Sequence, residues 1–169
     1  MPRLTSNRNI PRLDAESLRA LALRYVERYA TTRARLTRYL ERKLFERGWG
    51  GEGEPQVAPL VEQMAGLGYV DDRQYAQMRV ASLTRRGYGG RRIRADLRAA
   101  GIDAEDAEPA LPTDEDEARE AALAFARRKR IGPFAKQPPD QAGRRRAFAA
   151  MVRAGHSLDM IQEILTNRE

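Results

Sequence analysis

The sequence contains no cysteine and only one histidine, His156. Without thiols the chain cannot form disulfides or thiolate metal sites, and one imidazole excludes a metal site with several histidines. No apolar run approaches the roughly 20 residues that a bilayer-crossing helix needs, and the first residues lack the apolar segment of a signal peptide. We therefore expect a cytoplasmic protein with no membrane contact, no metal, no cofactor and no catalytic activity. We interpret His156 as a surface or turn residue.

The chain is rich in charged residues. Charged residues make up 33% of the 169 positions, and the net charge is +7. Nearly all the basic residues are arginine, whose guanidinium group binds phosphates and carboxylates through paired hydrogen bonds. The positive balance favours an anionic partner such as nucleic acid, an acidic protein face or anionic lipid, although a merely solvated basic surface is also compatible with it.

Helical periodicity extends almost throughout the chain from Asp14 onward. Apolar residues recur three and four positions apart, and no segment alternates with the two-residue period of a strand. The positions expected to begin or cap helices are Thr31 or Thr32, Pro55, Asp71 or Asp72, Asp103, Thr113 and Ser157. The apolar positions of the last two predicted helices are Phe148, Met151 and Val152, then Leu158, Ile161 and Leu165. The sequence therefore predicts an all-α protein.

An internal repeat organises these helices. Residues 91–111 resemble residues 145–165 position by position, with Leu97 matching Met151, Gly101 matching Gly155, and a capping residue two positions after each glycine. Amphipathic helices align partly by chance, but a glycine and a cap shared in one register favour a true repeat. Residues 35–44 fit the same pattern, apart from a displaced glycine and a glycine-rich loop at 48–54.

The repeat predicts three tandem three-helix units at residues 14–68, 69–112 and 113–169, preceded by a flexible arm at residues 1–13. Units of this size gain stability by stacking on their neighbours, and stacked units commonly form elongated, curved molecules. Such a surface suits a long, filamentous partner better than a small substrate.

Basic residues cluster in the second predicted helix of each unit and before the last linker. The candidate binding residues are Arg35, Arg38, Arg42, Arg85, Arg86, Arg91, Arg92, Arg94, Arg98, Arg127, Arg128, Lys129, Arg130, Arg144, Arg145 and Arg146. Alternatively, these side chains lie on a solvated face and pair with glutamates one turn away. Trp49 and Tyr88 are positioned in loops where they could stack on a base, although loop packing is the simpler interpretation. We expect the acidic stretch 103–120 to cap helices.

Three segments resemble signatures of the RecX family. They are Leu67-Gly68-Tyr69-Val70-Asp71-Asp72-Arg73-Gln74-Tyr75-Ala76, Gly87-Tyr88-Gly89-Gly90-Arg91-Arg92-Ile93, and Arg153-Ala154-Gly155-His156-Ser157. Arg35-Leu36 and Leu40-Glu41-Arg42-Lys43 resemble the first-unit pattern of the family, so the likeness covers roughly residues 15–166. Lys43-Leu44-Phe45 departs from the usual lysine–glycine–aromatic turn.

The resemblance implies three tandem three-helix units and a negative regulator of RecA. Such a protein binds the RecA filament on single-stranded DNA and inhibits filament extension, ATP hydrolysis, strand exchange and coprotease activity. It implies a monomer that acts in DNA repair, homologous recombination and the SOS response, and that contacts DNA directly or through RecA. The rival hypotheses are a free-standing helical DNA- or RNA-binding transcription regulator and a metal-dependent nuclease using Asp71 and Asp72.

Overall fold

Helices account for all the regular structure in the computed structural model, which describes residues 11–166. In chain order they are α1 (Ala15–Arg28), α2 (Arg33–Arg47), α3 (Val57–Gly66), α4 (Asp72–Arg85), α5 (Gly90–Ala99), α6 (Ala104–Ala107), α7 (Glu115–Lys129), α8 (Gln141–Arg153) and α9 (Leu158–Thr166). Short 3-10 turns follow α6 and α7, at Glu108–Ala110 and Gly132–Phe134. The predicted all-α class is confirmed. Within this range no helix has both the length and the apolar content to cross a bilayer.

The chain divides into two compact units, one ending at Asp71 and the other beginning at Asp72. Unit 1 contains α1–α3 around a core of Leu13, Leu18, Ala22, Leu36, Leu40, Val61, Met64 and Val70. Unit 2 contains two groups of three helices, and each group has its own core. The α4–α6 core includes Tyr75, Val80, Ile93, Leu97 and Leu111, and the α7–α9 core includes Phe125, Met151, Ile161 and Ile164. The three-helix grouping agrees with the repeat.

The middle helix of each group buries the same two positions of the repeat. These pairs are Leu36 and Leu40 in α2, Ile93 and Leu97 in α5, and Ala147 and Met151 in α8. The pair is spaced four residues apart, so both side chains project from one face of the helix into the group's core. The positions that align between repeats in the sequence are therefore the positions that are buried in the structure.

Glycines end the equivalent helices with the same backbone geometry. Gly101 adopts a φ of 79° and Gly155 a φ of 91°, a region that side chains with a Cβ avoid. The N–H of Gly101 donates to the Arg98 carbonyl, and the next N–H donates to the Leu97 carbonyl. The pair of bonds that follows α8 is the same, so two carbonyls at each helix end are satisfied.

The predicted helix starts are partly confirmed. Thr32, Asp103 and Ser157 each accept a hydrogen bond from a backbone N–H three residues later. The prediction for α7 is wrong: Asp114, not Thr113, caps it, because the Asp114 carboxylate accepts from the Asp116 N–H. Helix α3 begins at Val57, two residues after Pro55.

Residues 1–10 of the predicted arm lie outside the described residues, but the end of that segment is held on unit 1. Leu13 is fully buried, its N–H donates to the Gly48 carbonyl at 2.9 Å, and its carbonyl accepts from Gly50 at 2.8 Å. Arg47 donates to the carbonyl of Pro11. The ordered fold thus begins earlier than the predicted boundary at residue 14.

The two helix groups of unit 2 meet through their backbones. The Gly89 N–H donates to the Ala154 carbonyl at 2.8 Å, and the Arg91 N–H donates to the Gly155 carbonyl at 3.2 Å. A Cβ on Gly155 would lie 2.3 Å from the Arg92 nitrogen, and one on Gly89 would lie 2.4 Å from the Gly155 oxygen. Only glycine at both positions permits this approach.

We predict that Gly155→Ala destabilises unit 2 by roughly 3 kcal/mol, from backbone strain plus the clash with Arg92. Gly68→Ala is the matched control, because Gly68 has a φ of 82° and no atom within 4 Å of an added Cβ. It should cost only about 1–2 kcal/mol, in unit 1. Peptide-resolved hydrogen exchange reports each unit separately. Equal losses of protection for the two variants would contradict the close contact.

Candidate functional site: arginine-rich helix surfaces

Unit 1 presents a basic helix face that also carries an aromatic residue. Arg38, Arg42 and Phe45 are spaced four and three residues apart on α2, so they project from one side of the helix. Arg38 and Arg42 are exposed, and the exposed fraction of Phe45 is 92%. Arg35 is partly buried. The sequence analysis did not select Phe45, although the signal was present: it lies just outside the buried stripe of Leu36 and Leu40.

Arg42 lies beside an aromatic ring and a carboxylate of its own helix. Its guanidinium carbon lies 5.7 Å from the centre of the Tyr39 ring, and its Nε lies 3.6 Å from a carboxylate oxygen of Glu46. Lys43 is closer to the same carboxylate, at 2.6 Å, and its hydrogen bond lowers the pKa of Glu46 below the usual value. Glu46 and Arg42 are exposed to solvent, so their ion pair contributes little to stability.

In unit 2 two arginines of the candidate set lie over the ring of one tyrosine. The guanidinium carbons of Arg86 and Arg128 lie 5.4 and 5.7 Å from the centre of the Tyr88 ring. Arg128 also donates a hydrogen bond to the Arg86 carbonyl. Tyr88 itself packs against both cores of unit 2. Its ring is therefore engaged in packing between the two groups, as the simpler interpretation of Tyr88 expected.

Trp49 is likewise engaged within its loop. The indole N–H donates to the Gly53 carbonyl at 2.9 Å, and the ring lies so close to Gly51 that a Cβ there would be 2.6 Å from a ring carbon. The ring also packs against the core of unit 1. The loop at 48–54 is thus organised around the tryptophan, which favours loop packing over base stacking.

Helix α5 is the most basic surface of the α4–α6 group. Arg91, Arg92, Arg94 and Arg98 are all exposed. Arg94 lies 3.7 Å from Glu108, so it has an acidic neighbour, whereas within residues 11–166 no ion pair is recorded for Arg91, Arg92 or Arg98. Arg91 and Arg92 lie in the first helical turn, which contains no acidic residue. Cations there face the positive end of the helix dipole and destabilise the helix slightly.

A paired arginine on the neighbouring helix holds α5 in place. Arg79 of α4 donates two hydrogen bonds to the carboxylate of Asp96, at 2.6 and 2.8 Å. These bonds raise the pKa of Arg79 above its usual value, although partial burial opposes the effect. The planar two-bond geometry fixes the rotation of α5, and with it the direction in which the exposed arginines project.

In the α7–α9 group the basic residues fall into two sets with different surroundings. Arg127, Arg128, Lys129 and Arg130 end α7, where cations complement the helix dipole, and Arg127 lies over the Phe134 ring at 4.9 Å. Arg144, Arg145 and Arg146 lie in the N-terminal half of α8, after the N-cap Asp140, whose carboxylate accepts from the Gly143 N–H. All seven are exposed. The first set is explained by helix stability, and the second is not.

The remaining candidate, Arg85, is exposed in the last turn of α4, where a cation also suits the dipole. The structure thus brings Arg86 and Arg128 together around one ring and Arg91 against the turn at Gly155. It places Arg144 and Arg145 together at a groove beside Phe148.

The acidic stretch mainly supports helices. Asp103 and Asp114 cap α6 and α7, and Asp106 pairs with Arg73 at 2.8 Å. Asp72 is buried in the first turn of α4. Among residues 11–166 no three histidine, aspartate or glutamate side chains are grouped so that they could hold a metal ion.

His156 lies in the turn between α8 and α9, as expected, but it is buried rather than on the surface. Its Nε2–H donates to the Gly87 carbonyl at 3.1 Å, and its ring faces Phe125 with 5.8 Å between ring centres. Burial lowers the pKa of His156 below the usual 6.5, while the bond to the carbonyl opposes that shift. The neutral imidazole therefore ties together two of the segments that resemble the family signatures.

We predict that unit 2 loses stability as the pH falls below about 6.5, where the unfolded chain takes up a proton that the buried imidazole resists. The slope is at most about 1.4 kcal/mol per pH unit. Carboxylates remain largely ionised between pH 7.5 and 5.5, and His156 is the only histidine.

Urea unfolding at pH 7.5 and 5.5 measures this effect. His156→Gln is the control, since the amide N–H₂ can still donate to Gly87 but does not titrate. The variant should show little change in stability across that interval. An equally steep loss in the variant would show that another group titrates.

Comparison with known proteins gives a consistent result. A family model described as the second three-helix domain of RecX matches residues 71–111. The regulatory protein RecX of Myxococcus xanthus is 37% identical over 152 residues, covering 85% of this chain and 81% of that protein. The regulatory protein RecX of Thermus thermophilus is 40% identical over 112 residues, covering 66% of this chain and 70% of its own.

Solved structures share the fold. The crystal structure of RecX from Lactobacillus salivarius superposes with a TM-score of 0.70 at 19% identity, covering 90% of this chain and 94% of that one. A second RecX crystal structure gives a TM-score of 0.64 at 21% identity, covering 90% of this chain and 73% of that one. The family model, the length of the alignments with relatives and the shared fold all agree with the resemblance of segments 67–76, 87–93 and 153–157 to RecX signatures. The chain therefore belongs to the RecX family of regulatory proteins.

Proposed function

We propose that this chain is a negative regulator of RecA. It binds the RecA filament on single-stranded DNA and inhibits filament extension, ATP hydrolysis, strand exchange and coprotease activity. Its setting is homologous recombination, DNA repair and the SOS response in the cytoplasm, where it acts as a monomer without catalytic activity. Membership of a family of regulatory proteins supports the proposal. So does the three-helix repeat, for which we propose boundaries at residues 14–68, 69–112 and 113–169.

The observation that carries the proposal is the placement of arginines where helix stability disfavours them. Arg91 and Arg92 occupy the first turn of α5, and Arg144–Arg146 occupy the N-terminal half of the equivalent helix α8. The first turn of α5 contains no acid that would offset the charge, whereas α8 is capped by Asp140, whose carboxylate accepts from the Gly143 N–H. Each guanidinium is exposed, and a phosphate or carboxylate placed there would interact favourably with both the arginines and the helix dipole.

Backbone contact explains this surface better than base reading does. Base-specific contacts typically use Asn or Gln beside arginine, and α5 carries neither. Arginine forks that track phosphates position a protein on nucleic acid without selecting a sequence. This favours a filament regulator over the free-standing transcription regulator, because a regulator that recognises a filament does not need to select a base sequence.

RecA activity assays with the purified protein test the proposal directly. Adding it to RecA on single-stranded DNA should inhibit ATP hydrolysis and strand exchange, and the protein should cosediment with the filament. A gel shift on naked DNA is the comparison. Tight, sequence-selective binding to naked duplex DNA without any effect on RecA would instead support the transcription regulator.

Charge reversal of α5 should separate binding from folding. We expect Arg91→Glu/Arg92→Glu to weaken RecA inhibition at least tenfold, measured as the concentration that halves ATP hydrolysis. Because acids are favourable in the first turn of a helix, the variant should remain as helical by circular dichroism as the unaltered protein. Arg24→Glu/Arg28→Glu is the charge-matched control on α1. Inhibition by the α5 variant that equals the control would exclude this surface.

Salt dependence should identify phosphate as a target of the same arginines. Each phosphate neutralised on single-stranded DNA contributes about 0.7 to the slope of log affinity against log salt. Filament affinity should therefore fall steeply with NaCl, and Arg91→Glu/Arg92→Glu should reduce the slope by about 1.4. Anisotropy titrations at several salt concentrations measure this. A slope unchanged by the substitution would place these arginines away from DNA.

A further inference from the structure

A groove of about 800 Å³ lies on the surface of the α7–α9 group. Its lining consists of Gly132, Pro139, Arg144, Arg145, Ala147, Phe148, Gln162, Leu165 and Thr166. Pro139, Phe148 and Leu165 contribute apolar side chains to it. The only charged side chains in this lining are the two arginines, and the lining contains no carboxylate.

Exposed apolar residues extend the groove along both helices. Arg144, Phe148 and Val152 follow each other at intervals of four on α8, and they form one ridge of that helix. Leu158 and Gln162 have the same interval on α9. Phe148, Val152 and Leu158 are 38%, 40% and 48% exposed, although all three are large and apolar.

The core of the group does not use these three side chains. Met151, Ala154, Ile161 and Ile164 fill it from the neighbouring, buried stripes of the same helices. The sequence pattern placed Phe148, Val152 and Leu158 among the apolar helix positions with the core residues, and the structure leaves them at the surface. An apolar ridge beside an open groove is typical of a protein-binding surface.

The charge of the groove defines what it can accept. Within residues 11–166 no ion pair is recorded for Arg144 or Arg145, and both project from the half of α8 where the helix dipole is already positive. An incoming carboxylate therefore meets two cations. An incoming cation meets only repulsion. The groove combines anion attraction with apolar burial in one place.

We propose that this groove binds an acidic amphipathic segment of a protein partner. Two or three leucine-like or aromatic side chains of the segment fill the space between Phe148 and Leu165, and flanking carboxylates pair with Arg144 and Arg145. This is the helix-in-groove mode of recognition, in which apolar anchors supply affinity and charges supply orientation.

A protein segment fits this groove better than a nucleic acid does. A sugar–phosphate backbone is polar along its whole length and has no aliphatic side chain to place against Leu165 and Pro139. Single-stranded nucleic acid is bound by successive exposed rings on which bases stack. The groove lining contains one aromatic ring, Phe148, so a second base would find no ring to stack on. Phosphate contacts are better supplied by α5.

The inference rests on the proposed function only for its setting, since it assigns Arg144 and Arg145 to a protein surface rather than to DNA. The probe is a fluorescein-labelled peptide of about four helical turns, with leucines on one face and glutamates on the other. A version with glutamine in place of glutamate and a labelled oligo-dT are the comparison ligands. Binding to the full chain is measured by anisotropy.

We expect Arg144→Glu/Arg145→Glu to weaken binding of the acidic peptide at least tenfold, and Phe148→Ser to weaken it about fivefold. Arg24→Glu/Arg28→Glu removes the same amount of charge on α1 and should leave peptide affinity within about twofold. The glutamine peptide should bind the unaltered protein at least about tenfold more weakly than the glutamate peptide. Circular dichroism checks that every variant remains helical.

Three results would overturn the inference. They are the absence of peptide binding to the unaltered chain, equal weakening by the α1 control, and oligo-dT binding that is lost in the groove variants while the peptide does not bind. Because the peptide assay contains no RecA, its failure beside intact RecA inhibition contradicts only the groove assignment. Failure of RecA inhibition beside normal peptide binding contradicts the proposed function instead.

Discussion

The contact between the backbones at Gly89 and Gly155 is the constraint on which the architecture of unit 2 depends. Hydrogen bonds from Gly89 and Arg91 join the start of α5 to the end of α8, at a distance that leaves no room for a Cβ on either glycine. His156 adds a third link to the Gly87 carbonyl. The two helix groups therefore meet through atoms that cannot change rotamer, so the exposed arginines of α5 and α8 project from one fixed framework.

This contact gives the family-like segments a structural meaning. Residues 87–93 and 153–157 resemble signatures of a regulatory family, and a signature rich in glycine and arginine invites a ligand-binding interpretation. Gly87, Gly89 and Gly155 leave no room for a Cβ where the groups touch, and the histidine is buried there. The arginines that follow, Arg91 and Arg92, point outward from the same turn. The segments thus combine an assembly function with a surface that we propose for binding.

Much of the fold was predictable because helices leave local signals. Periodicity gave the all-α class, and the match of Leu97 with Met151 gave the register of the buried positions. The cap of α7 was misplaced by one residue because Thr113 and Asp114 are both good caps, and only the geometry selects between them. Sequence could not reveal that Leu13 pairs with Gly48 and Gly50, that His156 is buried, or that Phe148 is exposed. Each depends on which distant segment packs against the residue, and periodicity carries no information about that.

The distribution of arginine shows why composition alone is a weak guide to a binding site. At the end of α7, the cations from Arg127 to Arg130 complement the helix dipole, and helix stability suffices to explain them. At the start of α5 the same residue type opposes the dipole, and the first turn contains no acid that offsets it. In α8 the arginines follow the capping Asp140. Arginine therefore stabilises a helix at its C-terminal end and destabilises it in the first turn. Distinguishing the two positions requires the helix boundaries, and once those are known the candidate set narrows to the N-terminal halves of two equivalent helices. The pocket at the start of α5 is lined by Glu117 as well as by Arg91 and Arg94, whereas the groove beside α8 has no carboxylate in its lining, so the two surfaces are suited to different anions.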